Sequence, residues 1–283
     1  LNSVGKKSSK YKSSIQSELV SLYNLDVSLP LKKDSQESTN YLTPKFSLRI
    51  NPHDMKNYSS SARNIDTHNV FAINRLGLSD TLESGRSLTL GLDYSNERKD
   101  NLKEINNYFE LKLATVLRDS EETFIPNKST INKKNSNLFG SIKNKFSENL
   151  EIGYNFSLDN DFNTLEYNDL NTILSINNVV TEFNFVEENG ERGDTNIFAS
   201  SISYEIDNNN FLSLETRRNR KINLTEFYDL VYEYKNDCLT AGIKYKKTYY
   251  SDGDLKPTEN LLFSVTLFPL TTYEHDAHDL LND

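Results

Sequence analysis

Cys238 is the one thiol in a chain of 283 residues. It stands beside a short polar turn in the stretch YDLVYEYKNDCLTAGIKYKKTYY (Tyr228–Tyr250). A lone cysteine is a small packed residue, an incidental thiol or, in an exported chain, half of a disulfide whose partner lies elsewhere. The first two are the commoner cases; a disulfide from a periplasmic turn would make chemical sense in an oxidising compartment. His275, Asp276, His278 and Asp279 gather near the C-terminus, but their spacing matches no zinc motif and reads as a solvated tail. Gly77-Leu78-Ser79-Asp80-Thr81 lacks the second glycine of a nucleophile elbow. There is no phosphate loop and no dinucleotide fingerprint. Glu187 and Glu188 are neighbouring carboxylates in a polar connection. No catalytic, cofactor or metal site emerges, so an enzyme is not expected. A net charge of -9 argues against a nucleic-acid binder, and the basic run Arg217, Arg218, Arg220 and Lys221 reads as a loop.

What must position these residues is a set of strands. Apolar residues are only 36 % of the chain, yet Tyr and Phe number 16 and 15, which disordered chains do not show. They recur at every second position. Leu25, Val27, Leu29 and Leu31 share one face; so do Phe46, Leu48 and Ile50, and Leu88, Leu90, Leu92 and Tyr94. The same stripe returns in Leu150–Leu158, in Tyr228, Leu230, Tyr232 and Tyr234, and in Leu261, Phe263, Val265 and Leu267. About thirteen such segments of roughly nine to eleven residues are expected, the length with which a tilted strand crosses a bilayer. Pro30 marks an edge, a bulge or a strand end in the first of them. No stretch approaches the roughly 20 apolar residues of a membrane-spanning helix.

Short connections near 147–149, 177–178, 207–210 and 235–237 alternate with longer ones near 53–85, 119–137, 187–196 and 251–259, while those near 33–40, 98–107, 159–163 and 219–224 are intermediate and fit the rhythm less cleanly. Outer-membrane barrels alternate in this way, with short periplasmic turns and longer external loops. The fold expected is all-β: an antiparallel transmembrane β-barrel segment, about half of a large outer-membrane barrel. If the turn at 235–237 is periplasmic, Cys238 begins a strand that runs outward, Leu261–Phe268 returns inward, and the tail from Thr271 ends in the periplasm. Glu233, Lys244 and Lys246 then face a wet lumen. Alternation alone fits a soluble β-sandwich as well, with its apolar face inward. Strand length, loop rhythm and the charges on the second face favour the barrel. The sequence opens on Leu1, has its one methionine at Met55 and shows no leader pattern, so it is read as a piece of a longer chain.

Three stretches carry a resemblance. YDLVYEYKNDCLTAGIKYKKTYY, followed by ENLLFSVTLFPL, resembles the C-terminal end of the LptD family, the lipopolysaccharide-assembly proteins of the outer membrane. YLTPKFSLRINP (Tyr41–Pro52) and NRLGLSDTLESGRSLTLGLDY (Asn74–Tyr94) fit the same family in the same order. The resemblance implies a barrel of roughly twenty-six strands, at the upper end of the usual range. Residues 1–283 would then be its C-terminal half, without the periplasmic jellyroll and the first strands. It also implies that Cys238 bonds to a cysteine in the missing N-terminal part. The strand Leu261, Leu262, Phe263, Ser264, Val265, Thr266, Leu267 and Phe268 would be the last one, forming one side of a lateral gate. Relatives often carry two adjacent cysteines here, whereas Asp237 and Leu239 flank Cys238. The implied partners are lipopolysaccharide, an LptE-like plug lipoprotein, a periplasmic bridge protein docking through the jellyroll, and outer-membrane lipid. The implied location is the bacterial outer membrane. The rivals are another outer-membrane barrel, such as a porin or translocator, and a soluble all-β binding protein.

Overall fold

A computed structural model describes residues 2–3, 16–17, 20–99, 105–249, 256–268 and 271–276. Two short strands, β1 (Asn2–Ser3) and β2 (Gln16–Ser17), pair with each other. Fifteen further strands form one antiparallel sheet: β3 (Tyr23–Ser28), β4 (Leu31–Asp34), β5 (Ser38–Asn51), β6 (Gly85–Lys99), β7 (Ile105–Arg118), β8 (Leu138–Ser147), β9 (Leu150–Leu158), β10 (Leu165–Ile176), β11 (Val179–Glu188), β12 (Thr195–Asp207), β13 (Asn210–Asn219), β14 (Leu224–Lys235), β15 (Leu239–Thr248), β16 (Glu259–Leu267) and β17 (Thr271–Asp276). From β5 to β17 each strand lies beside the next in sequence, and β3 and β4 both pair with β5. The order has two ends, β3 and β17, as a barrel segment requires. One short 3-10 turn, Asn127–Ser129, is the only helical element among the described residues.

With β3 and β4 counted as one, the sheet has fourteen strands: about the thirteen expected, and β17 beside them. Pro30 breaks that first strand: proline cannot donate to a ladder, and the pairing with β5 resumes at Leu31. Two expectations need correction. Cys238 does not begin a strand but ends the turn before β15. Leu261–Phe268 is not the end of the sheet, because Thr271–Asp276 pairs antiparallel with it, from Leu262 opposite Asp276 to Leu267 opposite Thr271. What reads as a tail is therefore a strand for its first six residues. Thr271, Thr272 and Tyr273 suit an extended backbone, and pairing satisfies the polar edge that β16 would otherwise expose.

The chain divides into two compact units. The first comprises Leu1–Asn144, Tyr154–Asn168 and Glu188–Asp194. In it, β5 and β6 pair over their length, with Phe46 opposite Leu90 and Leu42 opposite Tyr94. Val27 lies opposite Phe46 on β5's other side. This face is apolar and open to the surroundings: Leu25, Val27, Leu42, Phe46 and Leu90 are all exposed. The other face is polar and covered, with Thr39, Ser47, Arg49, Asn51, Ser87 and Thr89 buried. A water-soluble sheet does the opposite. The cover comes from the long connections. Met55, Ile65, Val70, Leu76 and Leu78 of 52–84, with Ile125 and Ile131 of 119–137, pack on Ala114, Val116 and Phe139 to make the buried apolar cluster. Phe71 of the first connection lies over Gly91, where a Cβ would stand 2.6 Å from its ring. Only a glycine allows the ring so close to the strand.

The second unit comprises Lys145–Gly153, Asp169–Glu187 and Thr195–Asp283. One row of directly paired residues crosses it: Tyr204, Leu212, Tyr232, Ile243, Phe263 and His275. Tyr204, Leu212, Tyr232 and Ile243 of this row are exposed, and so are Leu214, Leu230, Val265 and Leu267 on the same face. An exposed apolar band this wide is a liability in water and at home in hydrocarbon. The alternate residues Glu233, Lys244 and Lys246 share the polar face, with Val231 opposite Lys244 and Asp229 opposite Lys246.

Leu214 and Ser213 are neighbours at mid-strand on opposite faces. In the full-length protein, Leu214→Arg should lower folding stability in lipid by about 2–4 kcal/mol, whereas Ser213→Arg should cost far less. Denaturant midpoints followed by heat-modifiable gel migration give the comparison. Equal losses would mean that the two faces meet the same medium.

Candidate functional site

The most heavily built site is where the first long connection meets the polar face of β5–β7. Three guanidiniums converge there on the Glu83 carboxylate. Arg75 donates from Nε to Oε2 at 2.7 Å and from Nη2 to Oε1 at 2.5 Å. Arg118, at the end of β7, donates from Nη1 to Oε1 at 2.6 Å. Arg49, on β5, donates from Nη1 to Oε2 at 3.1 Å. All four side chains are buried, at 5 % exposure or less. Other donors of the three reach neutral acceptors: Arg49 bonds the Ala72 carbonyl, Arg118 the Ser84 carbonyl, and Arg75 the hydroxyls of Thr89 and Ser87, while Arg49 Nε and Arg118 Nε are buried without a partner. Asn51 holds the Glu83 carbonyl at 2.9 Å.

A buried carboxylate is costly unless it is paired and fully bonded. Burial alone would push the Glu83 carboxyl up. The charge and hydrogen bonds of Arg75, followed by the charges of Arg118 and Arg49, outweigh burial and hold it at about 2. Glu83 ends the connection, and Gly85 opens β6 at φ 80, a left-handed conformation that glycine adopts without strain. A Cβ there would also stand 2.9 Å from an Arg118 nitrogen. This cluster therefore sets where the 52–84 connection re-enters the sheet.

Further bonds make the connections one body. Tyr58 N donates to the Phe124 carbonyl at 2.8 Å and Asn127 N to the Ser59 carbonyl at 3.0 Å. Ser84 donates to Glu122 at 2.5 Å. Arg192, from the connection after β11, is 2 % exposed. It donates from Nη1 to the Ile65 carbonyl at 2.8 Å and lies over the rings of Tyr167 and Phe139. The arrangement blocks the polar face of this unit with a plug made from the chain's own loops.

The residues singled out from sequence lie elsewhere. Cys238 is exposed and its thiol is free. Its N–H donates to Asn236 Oδ1 at 3.0 Å, beside that of Leu239 at 2.9 Å, so the Asn236 side chain shapes the turn. The Cys238 carbonyl accepts from Phe268 N at 2.9 Å, which ties this turn to the end of β16. Lys244 forms an ion pair with the buried Asp229 at 2.8 Å. Glu233 and Lys246 are half-buried on the same face. Leu261, Leu262, Phe263, Ser264, Val265, Thr266 and Leu267 lie in β16, and Phe268 follows in the turn. Glu187 and Glu188 end β11. His275 and Asp276 fall on β17, while His278 and Asp279 lie outside the described residues. Among the described residues no group of His, Cys, Asp or Glu could hold a metal ion.

The Glu83 cluster was missed in the sequence, although Arg75 and Glu83 both stand inside the stretch Asn74–Tyr94. The available signal was a charged pair on either side of an apolar-polar junction just before a strand. Nothing local showed that Arg49 and Arg118 would join it from 34 and 35 residues away.

Comparison with known families gives one match: the profile of the family described as LptD, LPS transport system D, fits residues 2–209. The fit takes in the plug and the Glu83 cluster and ends before the stretch around Cys238. No curated protein matches the chain.

Replacing Glu83 by Gln would leave three buried guanidiniums without their counter-charge. Losing one partner of such a pair costs roughly 3–5 kcal/mol. E83Q should therefore unseat the 52–84 connection and speed tryptic cleavage at Arg63, with the sheet still formed. For the unmodified protein the sign follows from a depressed carboxyl. The stabilisation is complete above the ordinary value of 4.5 and is lost as pH falls toward about 2. Cleavage by an acid-active protease should rise over that window in the unmodified protein and be nearly flat in E83Q.

Proposed function

Because this chain belongs to the LptD family, LPS transport system D, we propose that it supplies the C-terminal part of the barrel through which lipopolysaccharide reaches the outer leaflet of the outer membrane. The family assigns it to lipopolysaccharide transport at the bacterial outer membrane and to the Lpt machinery rather than to an enzyme class. The observation that carries the finer reading is the inverted sheet. Its apolar face is bare, and in the first unit its polar face is filled by the chain's own connections. That is the arrangement of a wall between lipid and a plugged lumen.

In this reading β16 forms one side of the lateral gate. Its outer hydrogen bonds go to β17 over six residue pairs, so opening at Leu261–Phe268 begins with release of that short strand. A strand of six residues makes a weaker seam than the other side of β16, where the pairing runs over nine. Glu233, Lys244 and Lys246 line the polar side, where an LptE-like plug lipoprotein and the anionic sugars of the substrate would meet charge. Cys238 faces solvent at the turn opposite to the long connections and pairs with a cysteine of an upstream periplasmic domain, the domain on which the periplasmic bridge protein docks.

The test uses the full-length gene in its native cells. Outer and inner membranes are separated, and the protein is run on reducing and non-reducing gels with and without C238S. The expected result is an outer-membrane protein whose non-reduced mobility depends on Cys238, and whose depletion lowers surface lipopolysaccharide. Outer-membrane location with no Cys238-dependent shift and unchanged surface lipopolysaccharide would favour an ordinary porin-like barrel. A soluble protein would overturn the reading entirely.

A further inference from the structure

The basic run Arg217–Lys221 does not act as one patch. Arg217 is paired with Glu226 at 2.9 Å. Arg218 and Arg220 meet no carboxylate among the described residues. Arg218 donates from Nη2 to the Asn223 side chain, and the Arg220 guanidinium lies 5.9 Å from the centre of the Phe185 ring. Arg218 stands directly opposite Phe198, on the bare apolar face of the sheet. Phe198 meets Phe183 edge to face at 4.7 Å. Together with Leu170, these rings and the two arginines line an open groove of about 760 Å³.

The order of groups along this groove is informative. Arg220 follows the last residue of β13, and Arg218 is the last but one. Phe185 lies near the end of β11, and Phe198 near the start of β12. The guanidiniums thus sit at the strand ends, beside the connection 220–223, and the phenyl rings and Leu170 continue the groove toward mid-strand. An arginine on a lipid face is costly at mid-depth but costs almost nothing at the interface. The fork of a guanidinium matches a phosphate, and arginine is more weakly hydrated than lysine.

We propose that this groove is a binding site for one phosphate-bearing lipid of the surrounding membrane, its phosphate held by Arg218 and Arg220 and its acyl chain laid on Phe183, Phe185 and Phe198. The site faces outward, apart from the lumen and from the gate strands β16 and β17. It rests on the reading that the apolar face meets lipid. Two uncompensated cations above a phenyl-lined trough fit an anionic amphiphile and fit neither a free sugar nor an apolar chain alone.

The experiment purifies the full-length protein from outer membranes into detergent and counts retained lipid by native mass spectrometry after adding phosphatidylglycerol or phosphatidylcholine. The unmodified protein should retain one additional phosphatidylglycerol, with a preference of about tenfold over phosphatidylcholine. R218Q/R220Q should lose that preference, and R217Q should keep it. F183A/F185A should retain less of both lipids. Equal retention by the unmodified protein and R218Q/R220Q would overturn the proposal, and so would an equal loss in R217Q, which would indicate bulk charge. Full displacement by millimolar inorganic phosphate would also overturn it, since the acyl chain would then contribute nothing. If R218Q/R220Q fails to fold, R218K/R220K is read instead, and it should retain part of the preference; a preference equal to that of the unmodified protein would overturn the phosphate fork. Heat-modifiable migration and outer-membrane fractionation test the barrel reading separately, so a folded outer-membrane protein without lipid preference defeats this inference alone.

Discussion

The rest of the first unit depends on one buried carboxylate. Glu83 is held by guanidiniums from β5, from its own connection and from β7, so a single side chain fixes the join between loop and sheet at three separate points. Burying three positive charges against one negative charge is costly in a low-dielectric site. The surplus is spread over the Ala72 and Ser84 carbonyls and the Ser87 and Thr89 hydroxyls. The bonds of Arg75 to Ser87 and Thr89 and of Arg49 to Ala72 form only when the connection lies against the sheet. The ion cluster and the apolar cluster around Ile65, Val70 and Ile131 are thus consequences of the same docking, and neither forms without the other.

This docking explains how a chain with few apolar residues can be both a membrane wall and a folded body. Its apolar residues are divided between two tasks. On the strands they form a bare outer face that lipid, not protein, solvates. In the connections they form a small core on the opposite side, where strand residues such as Thr89 and Ser87 would otherwise be wet. The polar face of the first unit is thereby closed by local chain. In the second unit the polar face instead carries the Asp229–Lys244 pair and half-buried charges, a surface suited to a partner or a substrate. Membership of a lipopolysaccharide-transport family of the outer membrane suits a sheet whose bare face is apolar.

The end of the sheet follows the same economy. An unpaired edge strand is an adhesive surface, and here the last ladder of the sheet is a short one. The six-residue β17 covers the edge with few bonds. The bond from Phe268 to the Cys238 carbonyl links that edge to the neighbouring turn.

The sequence by itself determined most of the strands and the two faces of each, because side chains alternate with a period of two whatever the sheet packs against. It also determined the break at Pro30, since proline has no donor to give. It did not determine which face is covered: alternation is symmetric, and only the tertiary structure places Leu25, Phe46 and Leu230 outward and Ser47 and Thr89 inward. It left Thr271–Asp276 as a tail, because a short polar strand has no pattern of its own and forms only on the edge of β16. It gave no sign of the Glu83 cluster, because Arg49, Arg75 and Arg118 are isolated charges along the chain and become one site only when a long connection folds back on the sheet. The strand pattern is a local property of the backbone, and the plug is a product of contacts between residues far apart in sequence.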